Sequence, residues 1–284
     1  MMKIERVTVV GCGAMGSGIA QAVAQAGYSV YAVDMITEQL AKAQANIGKG
    51  LDRMVAKGKF TREFADALLN RITFIDDIAK ATDVDMAIEA VSENLPLKQT
   101  IFAQLDTLLP EHAVISSNTS SMLIREVSAE AARKDKILGT HFFNPVYAMK
   151  LVEVVCTDQT SDETYASVKA FLESIGKITV KAPDSTGFIV NTVLGAAADA
   201  GFALVKKGVT PQDVDTALKL GANYPMGPFE LMDYCGLDIT YYALQEKYEK
   251  SGYDEELRPP EVLKELVEAG HYGLKTKWGF YKYE

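Results

Sequence analysis

Cysteine is scarce in this chain. Cys12, Cys156 and Cys235 are odd in number and far apart, with no C-x-x-C pair, which excludes a disulfide framework and a cysteine zinc cluster. No metal site is indicated elsewhere, and free thiols fit a reducing cytoplasm. Long apolar runs are missing too. The longest, 193-VLGAAADAGFALV-205, carries Asp199 at its centre and is too short to cross about 30 Å of hydrocarbon, so no membrane span is expected. The N-terminal apolar run is broken by Glu5 and Arg6 and ends in glycines, so it lacks the core of a signal peptide. Positive charge is in deficit, with 29 Lys and Arg against 38 Asp and Glu, a net charge of −9. That balance argues against general affinity for nucleic acid or anionic membrane, and any anionic ligand must meet a local basic patch. There is no repeat at solenoid spacing and no low-complexity tract.

What the chain does have is length and apolar content. Its 284 residues, 48% hydrophobic, suffice for a full core and predict two domains. From residue 6 to about 181, short β-branched runs at 6–10, 29–33, 72–74, 84–88, 113–117, 136–140, 150–155 and 177–181 alternate with helical patterns. That alternation is the signature of a mostly parallel sheet covered by helices. Leu40, Ala43, Ile47, Leu51 and Met54 recur at helical spacing after Thr37, which reads as an N-cap. A further helix spans 95–108, with Pro96 in its first turn. After the turn-rich 182-APDSTG-187 the pattern becomes helical, with Thr210-Pro211 as cap and first residue of one helix and Pro259-Pro260 before another at 261–269. The expected boundary divides a sheet domain, 1–187, from an all-α domain, 188–284.

The stretch 6-RVTVVGCGAMG-16 runs from a predicted strand through G-x-G-x-x-G into an alanine-rich helix. Gly11, Gly13 and Gly16 allow a tight turn, close approach of a pyrophosphate and close helix packing, and the helix N-terminus beginning at Ala14 and Met15 offers unpaired N–H groups to phosphates. Asp34 ends the next strand, eighteen residues after Gly16, where a carboxylate accepts hydrogen bonds from an adenosine ribose diol and repels a 2′-phosphate. Strand, helix and Asp34 in this order predict a Rossmann-type domain that prefers NAD to NADP. FAD sites share part of the fingerprint, so NAD also leans on the acid/base pair that follows. Cys12, at a variable position of the motif, reads as a small filler.

His141 lies in 139-GTHFFNPVYAMKLVEVV-155, with the carboxylate of Glu153 twelve residues on. An imidazole can carry a proton in either direction near neutrality, and a buried carboxylate can fix its tautomer and stabilise its charged form. A dinucleotide site with such a pair points to hydride transfer coupled to proton transfer. His112 and His271 lie in polar surroundings with no comparable partner and receive no role.

The segments 116-SSNTSS-121, 139-GTHFFNPVYAMKLVEVV-155, 186-TGFIVN-191, 220-LGANYPMGPFELMDYCGLD-238 and 273-GLKTKWGFYKY-283 together resemble the 3-hydroxyacyl-CoA dehydrogenases, particularly the short bacterial 3-hydroxybutyryl-CoA enzymes, over nearly the whole chain. The resemblance implies that His141 is the catalytic acid/base, Glu153 its orienting carboxylate, and Ser120 and Asn191 hydrogen-bonding partners of the reacting part of the substrate. It places Glu93 and Lys98, in 91-VSENLPLK-98, beside the nicotinamide and its ribose, and Asn118 between cofactor and substrate. Lys49, Arg53 and Lys57 are spaced by four on the predicted long helix and share a face. By the same resemblance Arg53 and Lys57 contact the phosphates of coenzyme A. The implied protein is a monofunctional, NAD-dependent (S)-3-hydroxyacyl-CoA dehydrogenase, a cytoplasmic homodimer or larger homo-oligomer paired through its helical domain.

The chain departs from the family pattern at Thr192 (usually arginine), in 195-GAAADAG-201, at Tyr147 (usually proline) and at Leu274 (usually arginine). Two other readings stay open: a dehydrogenase of a free hydroxy acid or sugar acid on the same two-domain plan, and a non-catalytic NAD-binding protein. The basic helix and the HFFNP context favour a CoA thioester over the first. The presence of Ser120, His141, Glu153 and Asn191 together argues against the second.

Overall fold

The structure, a computed structural model, describes residues 2–284. It divides into two compact units, the first ending at Ile189 and the second running Val190–Glu284.

In the first unit the chain runs β1 (Arg6–Val10), α1 (Ala14–Gln25), β2 (Ser29–Val33), α2 (Thr37–Ala56), α3 (Arg62–Leu69), β3 (Ile72–Ile75), β4 (Met86–Glu89) and α4 (Leu95–Leu108). It continues through β5 (Val114–Ser117), α5 (Ile124–Val127), β6 (Ile137–Phe142), β7 (Leu151–Cys156), α6 (Asp162–Ser174) and β8 (Ile178–Pro183). The eight strands form one sheet in the order β3-β2-β1-β4-β5-β6-β7-β8. Every neighbouring pair is parallel except β6 and β7. All residues of β4, β5 and β6 are buried, as strands covered on both faces must be. The strand order reverses direction between β1 and β4, and in such sheets a ligand crevice forms outside the carboxyl ends of the strands at that switch.

Helix α2 buries Leu40, Ala43, Ile47 and Leu51 of the predicted stripe, with Met54 half-buried. Its start differs from the sequence expectation, because Thr37 is the first helical residue and Ile36 holds the cap position. The reason is local: the Asp34 carboxylate accepts the Ile36 N–H at 3.0 Å, an Asx turn that leads the chain into the helix one residue early. At α4 the cap is Asn94, whose side chain accepts from Leu97 N–H at 2.9 Å, with Pro96 in the first turn.

The second unit is helical: α7 (Val190–Val205), α8 (Pro211–Gly221), α9 (Pro228–Cys235), α10 (Leu237–Lys250) and α11 (Glu261–Glu268). Phe202, Phe229, Leu237, Leu263 and Val267 centre its core. No helix among the described residues is long and apolar enough to cross a membrane. Two buried carboxylates order this unit. Asp215 accepts the N–H groups of Phe229 (3.0 Å) and Glu230 (2.8 Å) at the start of α9 and the Tyr281 hydroxyl at 2.7 Å. Asp233, fully buried, accepts Phe280 N–H, Tyr281 N–H and the Tyr283 hydroxyl, each at 2.9 Å. Burial, and then the carboxylate each phenol donates to, push Tyr281 and Tyr283 above the ordinary tyrosine range.

The C-terminal tail is therefore held by charge-assisted hydrogen bonds as well as by the packing of Phe280 on Phe202 and Phe229. Asp233→Ala strands three donors at about 1–3 kcal/mol each where they stay dry, and an overall loss of about 4 kcal/mol is expected. Urea unfolding followed by the fluorescence of Trp278, the single tryptophan, measures it.

Candidate active site

At the switch point, β1 runs straight into the glycine loop. Gly11 has φ +99°, and a Cβ there would stand 2.6 Å from the Ala90 carbonyl oxygen. A Cβ on Gly16 would collide with the Gly11 carbonyl oxygen. At Gly13 nothing lies within 4 Å of that position, so the middle glycine is open towards a ligand. Gly13 caps α1 with no side-chain hydrogen bond, which leaves the leading N–H groups of Ala14, Met15 and Gly16 for an anion. Asp34 accepts the Cys12 N–H at 2.8 Å with one oxygen and the Ile36 N–H at 3.0 Å with the other, and is half-buried. Each oxygen keeps a lone pair for a ribose hydroxyl. Burial, with the Asp34 charge adding to it, pushes the Cys12 thiol up to about 12, so it is an inert part of the loop. The cradle fits the pyrophosphate and adenosine ribose of NAD.

His141 and Glu153 meet because β6 and β7 pair antiparallel in a register that sets them directly opposite. Their twelve-residue spacing is the span of that turn. Glu153 Oε2 lies 2.7 Å from His141 Nδ1, and Glu153 Oε1 accepts the Ile189 N–H at 3.0 Å. The carboxylate is fully buried and the imidazole 6% exposed. An ionised carboxylate only accepts, so Nδ1 carries the hydrogen and Nε2 is free to take a proton or, in the cation, to give one. The rings of Phe143 and Phe188 lie 4.4 and 5.7 Å from the imidazole and form its apolar walls.

The ends of β4 and β5 carry the second cluster. Lys98, 1% exposed, lies 2.8 Å from Glu89 and 3.3 Å from Glu93. Glu93 in turn accepts the Ser120 N–H and the Thr119 hydroxyl at 3.0 Å. Asn118 takes the Phe142 N–H on its side-chain oxygen at 2.9 Å, and so ties β5 to the strand end that bears His141. Glu93, Lys98 and Ser120 are thus brought together. Sequence reasoning did not select Glu89; the signal was a lone acidic residue closing the apolar strand Met86–Glu89.

Lys49 and Arg53 stand exposed on α2, and Lys57 one residue beyond its last turn as the C-cap. Asn191 is the second residue of α7, in the helical unit. The other histidines do have partners: His112 Nε2 lies 3.1 Å from Asp85 on the surface, and His271 stacks on Trp278 at 3.9 Å. Among the departures from the family pattern, Tyr147 is 75% and Leu274 39% exposed.

Comparison with known proteins agrees with this layout. The family model described as 3-hydroxyacyl-CoA dehydrogenase, NAD binding domain, matches residues 6–185, and the model for the C-terminal domain of the same enzymes matches 187–283. The mitochondrial hydroxyacyl-coenzyme A dehydrogenase of Rattus norvegicus is 42% identical over 289 aligned residues, 99% of this chain and 92% of the relative. A probable 3-hydroxybutyryl-CoA dehydrogenase of Bacillus subtilis is 39% identical over 284, covering 100% of this chain and 99% of its own. The crystal structure of (S)-3-hydroxybutyryl-CoA dehydrogenase from Ralstonia eutropha superposes with a TM-score of 0.90 at 38% identity, covering 99% of this chain and all of the other. A sheet unit whose glycine loop fits NAD, followed by a helical unit, with both halves matched end to end, places this chain in the 3-hydroxyacyl-CoA dehydrogenase family of NAD-dependent oxidoreductases.

Proposed function

We propose that this chain interconverts (S)-3-hydroxybutyryl-CoA and acetoacetyl-CoA. The observation that carries the chemistry is the 2.7 Å contact between His141 Nδ1 and a fully buried Glu153, which presents Nε2 as a base of fixed tautomer. NAD on the glycine loop supplies the two-electron acceptor. His141 Nε2 takes the proton of the C3 hydroxyl as that carbon becomes a ketone, and Glu153 stabilises the imidazolium that results. In reverse, protonated His141 returns the proton and, with the Ser120 hydroxyl, stabilises charge on the C3 oxygen. Asn191 hydrogen-bonds the same part of the substrate. Glu93, Lys98 and Asn118 line the nicotinamide end of the cofactor site, and Asp34 selects NAD through the ribose diol. Arg53 and Lys57 hold the phosphates of coenzyme A, the local basic patch that an acidic chain needs.

In this reading residues 1–187 form the NAD-binding domain and 188–284 the substrate and dimerisation domain of a cytoplasmic homodimer. Exposed apolar side chains of the second unit, Leu220 at 84% and Ile239 and Tyr242 at 62%, support a protein partner there. The 3-hydroxybutyryl substrate is supported by the 3-hydroxybutyryl-CoA dehydrogenases of Bacillus and Ralstonia that the chain resembles.

His141→Ala is expected to lower turnover by about two to four orders of magnitude with NADH binding nearly intact. Steady-state rates with a fluorescence titration of NADH decide it, and near-normal turnover refutes the assignment. Asp34→Asn should relax the preference for NAD over NADP, read as the ratio of kcat/KM for the two cofactors. NADH oxidation should be fast with acetoacetyl-CoA and slow with free acetoacetate; a preference for the free acid sinks the thioester reading.

A further inference from the structure

Glu89 and Lys98 form a fully buried ion pair, at 0% and 1% exposure, that the proposed proton transfer does not use. Such a pair is no better for stability than well-packed apolar side chains, because desolvation offsets the attraction. Its position is informative. Glu89 ends β4 beside the switch point, and both oxygens of its carboxylate are engaged: Oε1 accepts Val91 N–H at 2.7 Å and Lys98 Nζ at 2.8 Å, while Oε2 accepts the Ser117 hydroxyl at 2.6 Å. Val91 follows Ala90, whose carbonyl oxygen is the atom that forbids a side chain on Gly11. Glu89 therefore braces the backbone that the glycine loop packs against, holds the ammonium of Lys98 and, through Ser117, steadies the Thr119 N–H at 3.1 Å. Lys98 also lies 3.3 Å from Glu93, so the cluster counts two carboxylates against one ammonium, a net charge of −1.

The oxidised nicotinamide ring carries a positive charge and the reduced ring none. We propose that Glu89 is a positioning residue that holds Lys98 and Glu93 at the cofactor site and, by keeping the cluster net negative, sets how tightly the protein binds NAD+ relative to NADH. The inference deepens the proposed function and rests on its placement of the nicotinamide at this end of the sheet.

The test is binding, not turnover. Dissociation constants for NADH, by fluorescence titration, and for NAD+, by competition, are measured at pH 7 for the natural protein, Glu89→Gln and Glu89→Asp. Gln keeps the shape and removes the charge: its amide oxygen can accept from Val91 N–H and Lys98, while its NH2 donates to the Ser117 hydroxyl, reversing that one bond. It should weaken NAD+ relative to NADH by roughly tenfold, the size of effect one charge exerts across a site of low effective dielectric. Asp keeps the charge on a shorter stem, and should weaken both forms together with the ratio within about twofold of the natural protein. A structural role alone leaves the ratio unmoved in both variants, and an unmoved ratio in Glu89→Gln overturns the inference. Should Glu89→Gln fail to fold, Glu93→Gln at the exposed end of the cluster must shift the ratio in the same direction, and no shift there overturns the inference equally. A natural protein that binds neither form refutes the dinucleotide site itself, a result distinct from tight binding with an unmoved ratio.

Discussion

An ionised carboxylate taken out of water must find all its partners inside the protein, since an uncompensated buried charge costs several kcal/mol. Four carboxylates meet that constraint here, Glu89, Glu153 and Asp233 at 0% exposure and Asp215 at 2%. Each gathers donors from segments far apart in sequence, and each fixes a feature that apolar packing would leave loose. Glu153 aligns an imidazole on β6 and takes the N–H of Ile189, where the first unit ends. Glu89 joins the crossing at Val91 to α4 and to the end of β5. Asp215 and Asp233 fix the start of α9 and the C-terminal tail.

An acidic protein can hold an anionic cofactor without a basic surface when the backbone supplies the positive end. Backbone N–H groups at the start of α1 carry partial positive charge whatever the side-chain composition, which suits them to a pyrophosphate. In the proposed function the negative groups fall where they are wanted: Asp34 towards a ribose, and Glu153 behind an imidazole that becomes cationic. Lys98, at the ends of β4 and β5, is itself bound by carboxylates and so adds no net positive charge.

The position of the site follows from the sheet. Because the strand order changes direction between β1 and β4, the glycine loop and the ends of β4 and β5 converge on one crevice. The single antiparallel step, between β6 and β7, has a different consequence. It puts two inward-facing residues twelve apart at the same height, which a parallel pair could achieve only through a long crossover.

Much of this was legible in the sequence because it is local. The β-branched runs located the eight strands, the helical spacing of Leu40, Ala43, Ile47 and Leu51 located the buried face of α2, and the glycines with Asp34 located the dinucleotide loop, all by rules that act within about twenty residues. The resemblance added the rest of the candidate site residues, which no periodicity marks. Short helices such as α3 and α6 were not placed, since eight and thirteen residues give a period few turns in which to repeat. Thr37 was misread as a cap because the competing acceptor, Asp34, acts through an Asx turn. Local patterns of side-chain size, branching and charge therefore determined the elements and the glycine loop. Only the tertiary structure decided that Glu89 is buried with both oxygens engaged, that Lys98 lies between two carboxylates, and that Glu153 holds both an imidazole and the Ile189 N–H. Burial and hydrogen bonding between distant segments depend on strand order and register, which one-dimensional spacing does not encode.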